Sequence, residues 1–183
     1  MKQIYLLRHE EVEKKYRNRY YGHLDVKLSL RGRVRSLKTA KKLNIKCFDA
    51  IFSSDLSRTR FILNGLRQKV KPILTESLRE KSWGIHEGLS YTELEKMGFV
   101  YENFEQWLSL FDGESLVDFQ ARVLKFYKKI ISLKEKKILI VTHSGVIKVL
   151  LAHLNKTTIE EEFMKSLPYG SLVKLNVKNY NVS

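Results

Sequence analysis

Two histidines and two arginines stand where a sheet could gather them. The run Ile4-Tyr5-Leu6-Leu7 leads into Arg8-His9, and Lys137-Ile138-Leu139-Ile140-Val141 leads into Thr142-His143. A third apolar run, Phe48-Asp49-Ala50-Ile51-Phe52, ends at Ser53, and Arg58 follows five residues on. Short runs of this composition read as strands buried on both faces. In a parallel sheet their carboxyl ends share one edge, the edge at which open α/β sheets keep their ligand sites. Either histidine alone reads best as a hydrogen-bonded side chain at a sheet edge. Matched arginines beside both change that balance. Guanidinium groups would repel a divalent cation, whereas they match a pair of phosphate oxygens bidentately. Helices starting at Ser54 and Ser144 would add backbone N–H groups and positive dipole ends. The constellation predicts an anion pocket with phosphate as its natural occupant.

The intervening chain supplies the elements that would position these groups. Glu10 to Val26 is polar and aperiodic, with Lys14, Lys15, Arg17 and Arg19 interleaved with Tyr16, Tyr20 and Tyr21; such segments are functional or mobile more often than idle. Ser29 is placed to cap a helix in which Leu30, Val34, Leu37 and Leu43 form an apolar stripe and the lysines a basic outer face. Ser54 or Asp55 is placed to cap a second helix through Arg58, Ile62, Leu63 and Leu66 to about Lys69. Val70 to Leu74, carrying Pro72, reads as an edge strand because proline cannot donate to a central ladder. Residues 76–90 read as a loop, and Tyr91 to Leu110 as one or two short helices. Ser115 then caps a long amphipathic helix through Leu116, Phe119, Val123, Phe126, Tyr127, Ile130 and Ile131. Val146 to Leu154 is apolar enough for a packed helix, and Gly170 to Val177 closes the sheet. Alternating strands and helices predict an α/β fold with a mostly parallel sheet.

At 183 residues the chain can bury a substantial core, and 43% hydrophobic with 30% charged residues is a globular composition. The one cysteine, Cys47, excludes an internal disulfide, fits a reducing cytoplasmic setting, and is expected to be mostly buried beside its strand. No leader segment and no membrane-spanning run is expected. The net charge of +14 suits nucleic acid, an anionic surface, a small phosphorylated or carboxylated substrate, or plain solubility, and selects none of them.

A resemblance narrows the choice. Leu7-Arg8-His9-Glu10, Asn18-Arg19-Tyr20-Tyr21-Gly22-His23, Leu28-Ser29-Leu30-Arg31-Gly32, Ser53-Ser54-Asp55-Leu56-Ser57-Arg58-Thr59, Leu78-Arg79-Glu80 with Gly84 and Glu87-Gly88, Gly113-Glu114-Ser115 ahead of Arg122, and Val141-Thr142-His143-Ser144-Gly145 occur in that order. Together they resemble the histidine phosphatase superfamily, the phosphoglycerate-mutase-like phosphatases, over nearly the whole chain. The resemblance implies a three-layer α/β/α sandwich with a mostly parallel central sheet and an antiparallel edge strand. It implies one domain over 1–183, with a small helical insertion around 89–112. It implies His9 as a nucleophile that becomes phosphohistidine, with Arg8, Arg58 and His143 holding phosphoryl oxygens. Glu80 would be the acid that protonates the leaving oxygen and then activates water; the residues alone leave Glu76 and Glu87 equal to it. Lys15, Tyr21, Gly22 and Ser144 join Arg8, Arg58 and His143 as expected substrate contacts, with no metal and no cofactor. Imidazole is a good nucleophile near neutral pH, and phosphoryl transfer asks mainly for positioning and cationic donors.

The sequence departs from the family at Glu10, where glycine is usual, at Val12, where Ser or Thr is usual, and at Lys15, where a phosphate-donating Asn is usual. Glu10 is expected to bring a side chain beside the pocket, and Lys15 to take the missing donor's role. The compact length is similar to the small phosphatases, including those acting on α-ribazole 5′-phosphate in cobalamin synthesis. The expected partner is a small phosphorylated metabolite, with no nucleic acid and no membrane; a homodimer stays open. Two other readings stay open as well: a phosphoglycerate mutase-type phosphoryl transferase, and a weakly active phospho-ligand or nucleic-acid binder.

Overall fold

The computed structural model describes residues 1–109 and 111–177. Five strands, β1 (Lys2–Arg8), β2 (Ala50–Ser53), β3 (Ile73–Leu74), β4 (Lys137–Thr142) and β5 (Leu172–Val177), form one sheet in the order β3-β2-β4-β1-β5. All neighbours are parallel except β1 and β5. The helices are α1 (Leu30–Leu43), α2 (Ser57–Arg60), α3 (Tyr91–Lys96), α4 (Phe104–Ser109), α5 (Leu116–Ser132), α6 (Ser144–Asn155) and α7 (Ile159–Met164).

The central strands bury both faces because successive side chains alternate across the sheet. Ile4, Leu6, Ile138 and Ile140 pack with Phe119, Val123, Phe126, Tyr127 and Ile130 of α5 and with Val146, Ile147, Val149 and Leu150 of α6. Tyr5, Leu7, Leu139 and Val141 face the other way, onto Ala40 and Leu43 of α1 and onto Phe48 and Ile62. This is the expected three-layer α/β/α sandwich, with an antiparallel strand at one edge. Each fully buried aliphatic or aromatic side chain of α5 contributes about 2 kcal/mol of transfer free energy. A third cluster, Trp83, Leu94, Leu108 and Phe111 with Tyr20 and Trp107 against it, ties α3 and α4 to the loop after β3.

The caps at Ser29 and Ser115 form as expected: Gly32 N–H donates to Ser29 Oγ and Asp118 N–H to Ser115 Oγ. Two short helices occupy 91–109; the expected end at Leu110 lies outside the described residues.

Four expectations are corrected. Three members of the stripe on α1 point outward, with Leu30 80% exposed and Val34 and Leu37 also exposed; Leu43 is buried as expected, and the inward face is otherwise made of Gly32, Ser36 and Ala40. Small residues win this face because the helix lies close on its neighbours: a Cβ at Gly32 would run into the Glu11 carbonyl. The second helix is one turn, α2, continued by a 3₁₀ stretch over Phe61–Gly65. It starts at Ser57 with Leu56 as an N-cap that makes no side-chain bond, while Asp55 is held by Arg79 (Nε–Oδ1 2.8 Å). The edge strand shrinks to Ile73–Leu74, beyond Pro72, where both residues pair with β2. Cys47 is exposed, because Phe48 takes the inward position beside it.

Candidate active site

Register brings the two histidines together. Arg8 lies opposite Thr142 in the parallel β1–β4 pair, so His9 and His143 leave the sheet at the same level. His9 N–H donates to the Thr142 carbonyl (3.0 Å), and the two imidazoles meet edge to face with centroids 5.2 Å apart.

Their tautomers follow from their partners. His9 Nδ1 lies 2.7 Å from the Glu10 carbonyl, which can only accept, so Nδ1 carries the proton and Nε2 carries the free lone pair. His143 Nδ1 accepts from Arg58 Nε (3.3 Å), so its proton sits on Nε2, which is buried without a partner. Both imidazoles are held well below the usual 6.5, first by burial and then by the Arg58 guanidinium; Arg8 acts on both, and each imidazole is in the other's field or ring contact.

The cations are fixed from behind. Arg58 is 1% exposed and donates to the carbonyls of Leu24 (2.8 Å), Gly22 (2.6 Å) and Tyr21 (3.1 Å). Arg8 donates through Nη1 to the Leu167 carbonyl, lies 4.3 Å over the Tyr169 ring, and keeps a buried Nε without a partner. Tyr21 and Tyr169 are joined hydroxyl to hydroxyl at 2.8 Å, and Arg58 lies 5.3 Å from the Tyr21 ring centre. Two guanidiniums and two neutral imidazoles thus surround one cleft of about 200 Å³. An anion there would restore partners to the bare Arg8 and His143 donors.

The structure separates three carboxylates that the residues alone leave equal. Glu80 lines the cleft, and its Oε2 accepts from Gly145 N–H at the start of α6 (2.9 Å). A Cβ at Gly145 would collide with that carboxylate, so this approach requires glycine. Glu87 is a fastener, accepting from the backbone N–H groups of His23 (2.6 Å), Leu24 and Trp83 (3.1 Å). Glu76 is largely exposed and pairs with Arg79.

Arg8, His9, Tyr21, Arg58, Glu80, His143 and Ser144 all line the cleft. Gly22 sits behind it: its carbonyl holds Arg58, and its Cα packs against the Lys81 carbonyl. The expected role of Lys15 is corrected. Its side chain is 69% exposed, with the ammonium 3.5 Å from Glu13, in a 3₁₀ turn off the cleft. Lys15→Ala is therefore expected to leave KM for a phosphate ester within about twofold, as an exposed ion pair is worth little; steady-state kinetics check this.

Glu10 is also corrected: its carboxylate turns away from the cleft, buried against Gly170 and 3.3 Å from Arg35 Nε. Burial raises its pKa, and Arg35 opposes that. Gly170, at φ +73°, leaves the room for it. Val12 is fully buried in an isolated bridge to Leu28, so an apolar residue there closes a small core.

Sequence reasoning missed Asn18, Lys81, Lys148 and Phe163, which also line the cleft. Asn18 adopts a left-handed backbone (φ 58°), a conformation that Asn tolerates, which is a legible but weak signal. Lys148 follows Ser144 by one turn of α6 and donates to the Phe163 and Lys165 carbonyls (2.7 and 2.8 Å). Helix α2 is too short and too poorly capped to add the dipole expected from Ser54, whereas α6 does begin at the cleft. Among the described residues no group of three His, Cys, Asp or Glu side chains could hold a metal ion.

A family model described as the histidine phosphatase superfamily (branch 1) matches residues 4–183. The chain belongs to that superfamily. A 2,3-bisphosphoglycerate-dependent phosphoglycerate mutase of Rhodopseudomonas palustris is 29% identical, with 93% of this chain and 89% of the relative covered. A broad-specificity phosphatase of Saccharomyces cerevisiae is 28% identical, with 82% and 69% covered. The solved α-ribazole phosphatase from Shigella flexneri superposes with a TM-score of 0.84 at 23% identity, over 96% of this chain and 91% of that one. Superfamily members of both reaction types match at similar identity, so the choice between them falls to the site.

The paired histidines give this superfamily member a defined pH response. Their native pKa values lie below the unfolded value near 6.5, so the unfolded chain binds more protons below that pH. The stability they contribute is complete above about pH 6.5 and is lost as pH falls toward the native values. Denaturation midpoints should therefore drop between pH 7 and 5, and inorganic phosphate should lessen the drop by favouring protonated imidazole. A midpoint that is flat over this range refutes the assignment.

Proposed function

We propose that this chain is a metal-independent phosphomonoester hydrolase working through a phosphohistidine. The observation that carries the reading is the tautomer of His9: its Nδ1–H is tied to the Glu10 carbonyl, so Nε2 presents its lone pair to the cleft. In this reading Nε2 attacks phosphorus and the P–O bond to the leaving alcohol breaks. Arg8, Arg58 and the Nε2–H of His143 hold the nonbridging oxygens as charge shifts among them. Glu80 gives its proton to the leaving oxygen, then takes one from the water that attacks phosphohistidine, which regenerates His9 and releases phosphate. The guanidiniums supply the charge that a metal supplies in other phosphatases. We take residues around 89–112 as a small helical insertion within a single domain.

The substrate is read as a small phosphorylated metabolite, with α-ribazole 5′-phosphate as the specific candidate. The fold match to an α-ribazole phosphatase supports that candidate, which would place the activity in cobalamin synthesis. A lone, exposed thiol at Cys47 suits a reducing, cytoplasmic setting. Among the described residues no helix is long and apolar enough to cross a membrane.

The test is release of inorganic phosphate from a panel of monoesters in EDTA, with acid-labile phosphate trapped on the protein early in turnover. A mutase would instead need a bisphosphate for priming and release no net phosphate. Activity abolished by EDTA, or the absence of any histidine-linked phosphate, would sink the reading.

A further inference from the structure

Beside the catalytic cleft runs a second depression of about 560 Å³ between α4 and α7. Its walls are Tyr101, Phe104, Trp107, Phe163 and Met164, with Glu102 and Glu160 along them. Aromatic rings are in contact along it: Phe104 and Phe163 have centroids 5.4 Å apart, Phe104 and Trp107 5.6 Å. The groove shares a wall with the reaction site. Phe163 lines both hollows, and its carbonyl holds the cleft lysine Lys148. Trp107 Nε1–H donates to the hydroxyl of Tyr20, another cleft residue, at 2.8 Å.

The charge differs between the two hollows. The cleft carries Arg8, Arg58 and Lys81, whereas the groove has no cation among its described lining residues and has two carboxylates. A compact substrate with a second anionic group, such as a phosphorylated hydroxy acid, gains nothing from such a surface and meets repulsion from Glu102 and Glu160. A flat, uncharged or weakly basic ring gains stacking on several faces and a carboxylate to accept from its N–H groups. The volume of about 560 Å³ falls within the range of pockets that enclose drug-sized ligands, enough for a bicyclic ring.

We infer that the groove between α4 and α7 is the leaving-group subsite of the phosphomonoesterase proposed above, and that it selects phosphate esters whose alcohol carries a planar heteroaromatic base. The inference rests on that reading for its substrate, but not for its binding surface.

The experiment compares adenosine 5′-monophosphate with ribose 5-phosphate, which share the reacting 5′ oxygen and differ in the base. The expected ratio of kcat/KM is about tenfold or more in favour of the nucleotide, the worth of a stacked base. Phe104→Ala and, separately, Met164→Ala should each pull that ratio severalfold toward one. Met164 is 76% exposed, so its loss does not threaten the fold. Adenosine itself, titrated against tryptophan fluorescence, should bind the wild type and bind Phe104→Ala more weakly. A ratio near one together with no adenosine binding overturns the subsite and leaves the phosphatase reading standing. Adenosine binding that both variants weaken, with no ester hydrolysed, supports the subsite and overturns the phosphatase instead. A high ratio that neither variant lowers places the base elsewhere and overturns the subsite.

Discussion

His9→Ala is expected to lower phosphate release from any monoester by on the order of 10⁴-fold or more, the scale seen when a covalent nucleophile is removed. The neighbouring imidazole cannot replace it. His143 Nε2 carries a proton, and its Nδ1 is taken by Arg58, so it has no lone pair facing the cleft. The fold should tolerate the change, because His9 is a buried imidazole that gives up its preferred charged form below pH 6.5. Removing it should also remove part of the acid sensitivity described above. Phosphate release, trapped phosphohistidine and denaturation midpoints at pH 5 and 7 measure the three effects separately. A variant that keeps a tenth of the wild-type rate would show that His9 is not the nucleophile.

Arg122→Ala is expected to cost both stability and rate without touching substrate. Arg122 grips Glu114 with two bonds of 2.7 Å and donates to the carbonyls of Ser77, Arg79 (both 3.0 Å), Glu76 and Glu80 (both 3.3 Å). It therefore holds the segment that delivers Glu80 to the cleft. Truncation leaves a half-buried carboxylate and several carbonyls unpaired, a loss of about 2–4 kcal/mol. Arg122→Lys should recover only part of it, since an ammonium cannot span that fork. As a positioning residue, Arg122 should affect the proton given to the leaving group. An alkyl phosphate should lose at least about tenfold in kcat, while p-nitrophenyl phosphate, whose leaving group needs no proton, should lose less. Equal losses on both esters would mean that the clamp serves stability alone.

Much of this was legible in the residues, and the exceptions have physical causes. Strands β1 and β4 are continuous apolar runs that no other element explains, so their carboxyl ends, and with them His9 and His143, could be placed. Arg58 was found by its distance from such an end. Helix α1 was misread because an apolar stripe normally faces the core, whereas here Gly32, Ser36 and Ala40 offer the closer approach and leave Leu30 and Val34 outside. Glu80 could not be told from Glu76 and Glu87 without tertiary contacts, since only the fold shows which carboxylate reaches Gly145. Lys148, Phe163 and Tyr169 come from helices and a loop whose residue types carry no catalytic signature. Lys15 looked apt in the linear pattern and lies off the cleft because the 3₁₀ turn over 14–16 points it to solvent.

The order of the sheet has a consequence for how the chain is made. Strand β1 emerges from the ribosome well before both of its neighbours, β4 and β5, which come from the last third of the given sequence. Until β4 is out, Ile4, Leu6 and Leu7 have no ladder to join and remain an unpaired apolar segment, the kind that nascent-chain chaperones hold and that aggregates when they do not. Loop closure on this scale is slow as well as late. The strand that leads into His9 is synthesised well before either of its partners, so His9 meets His143 only once those partners are in place.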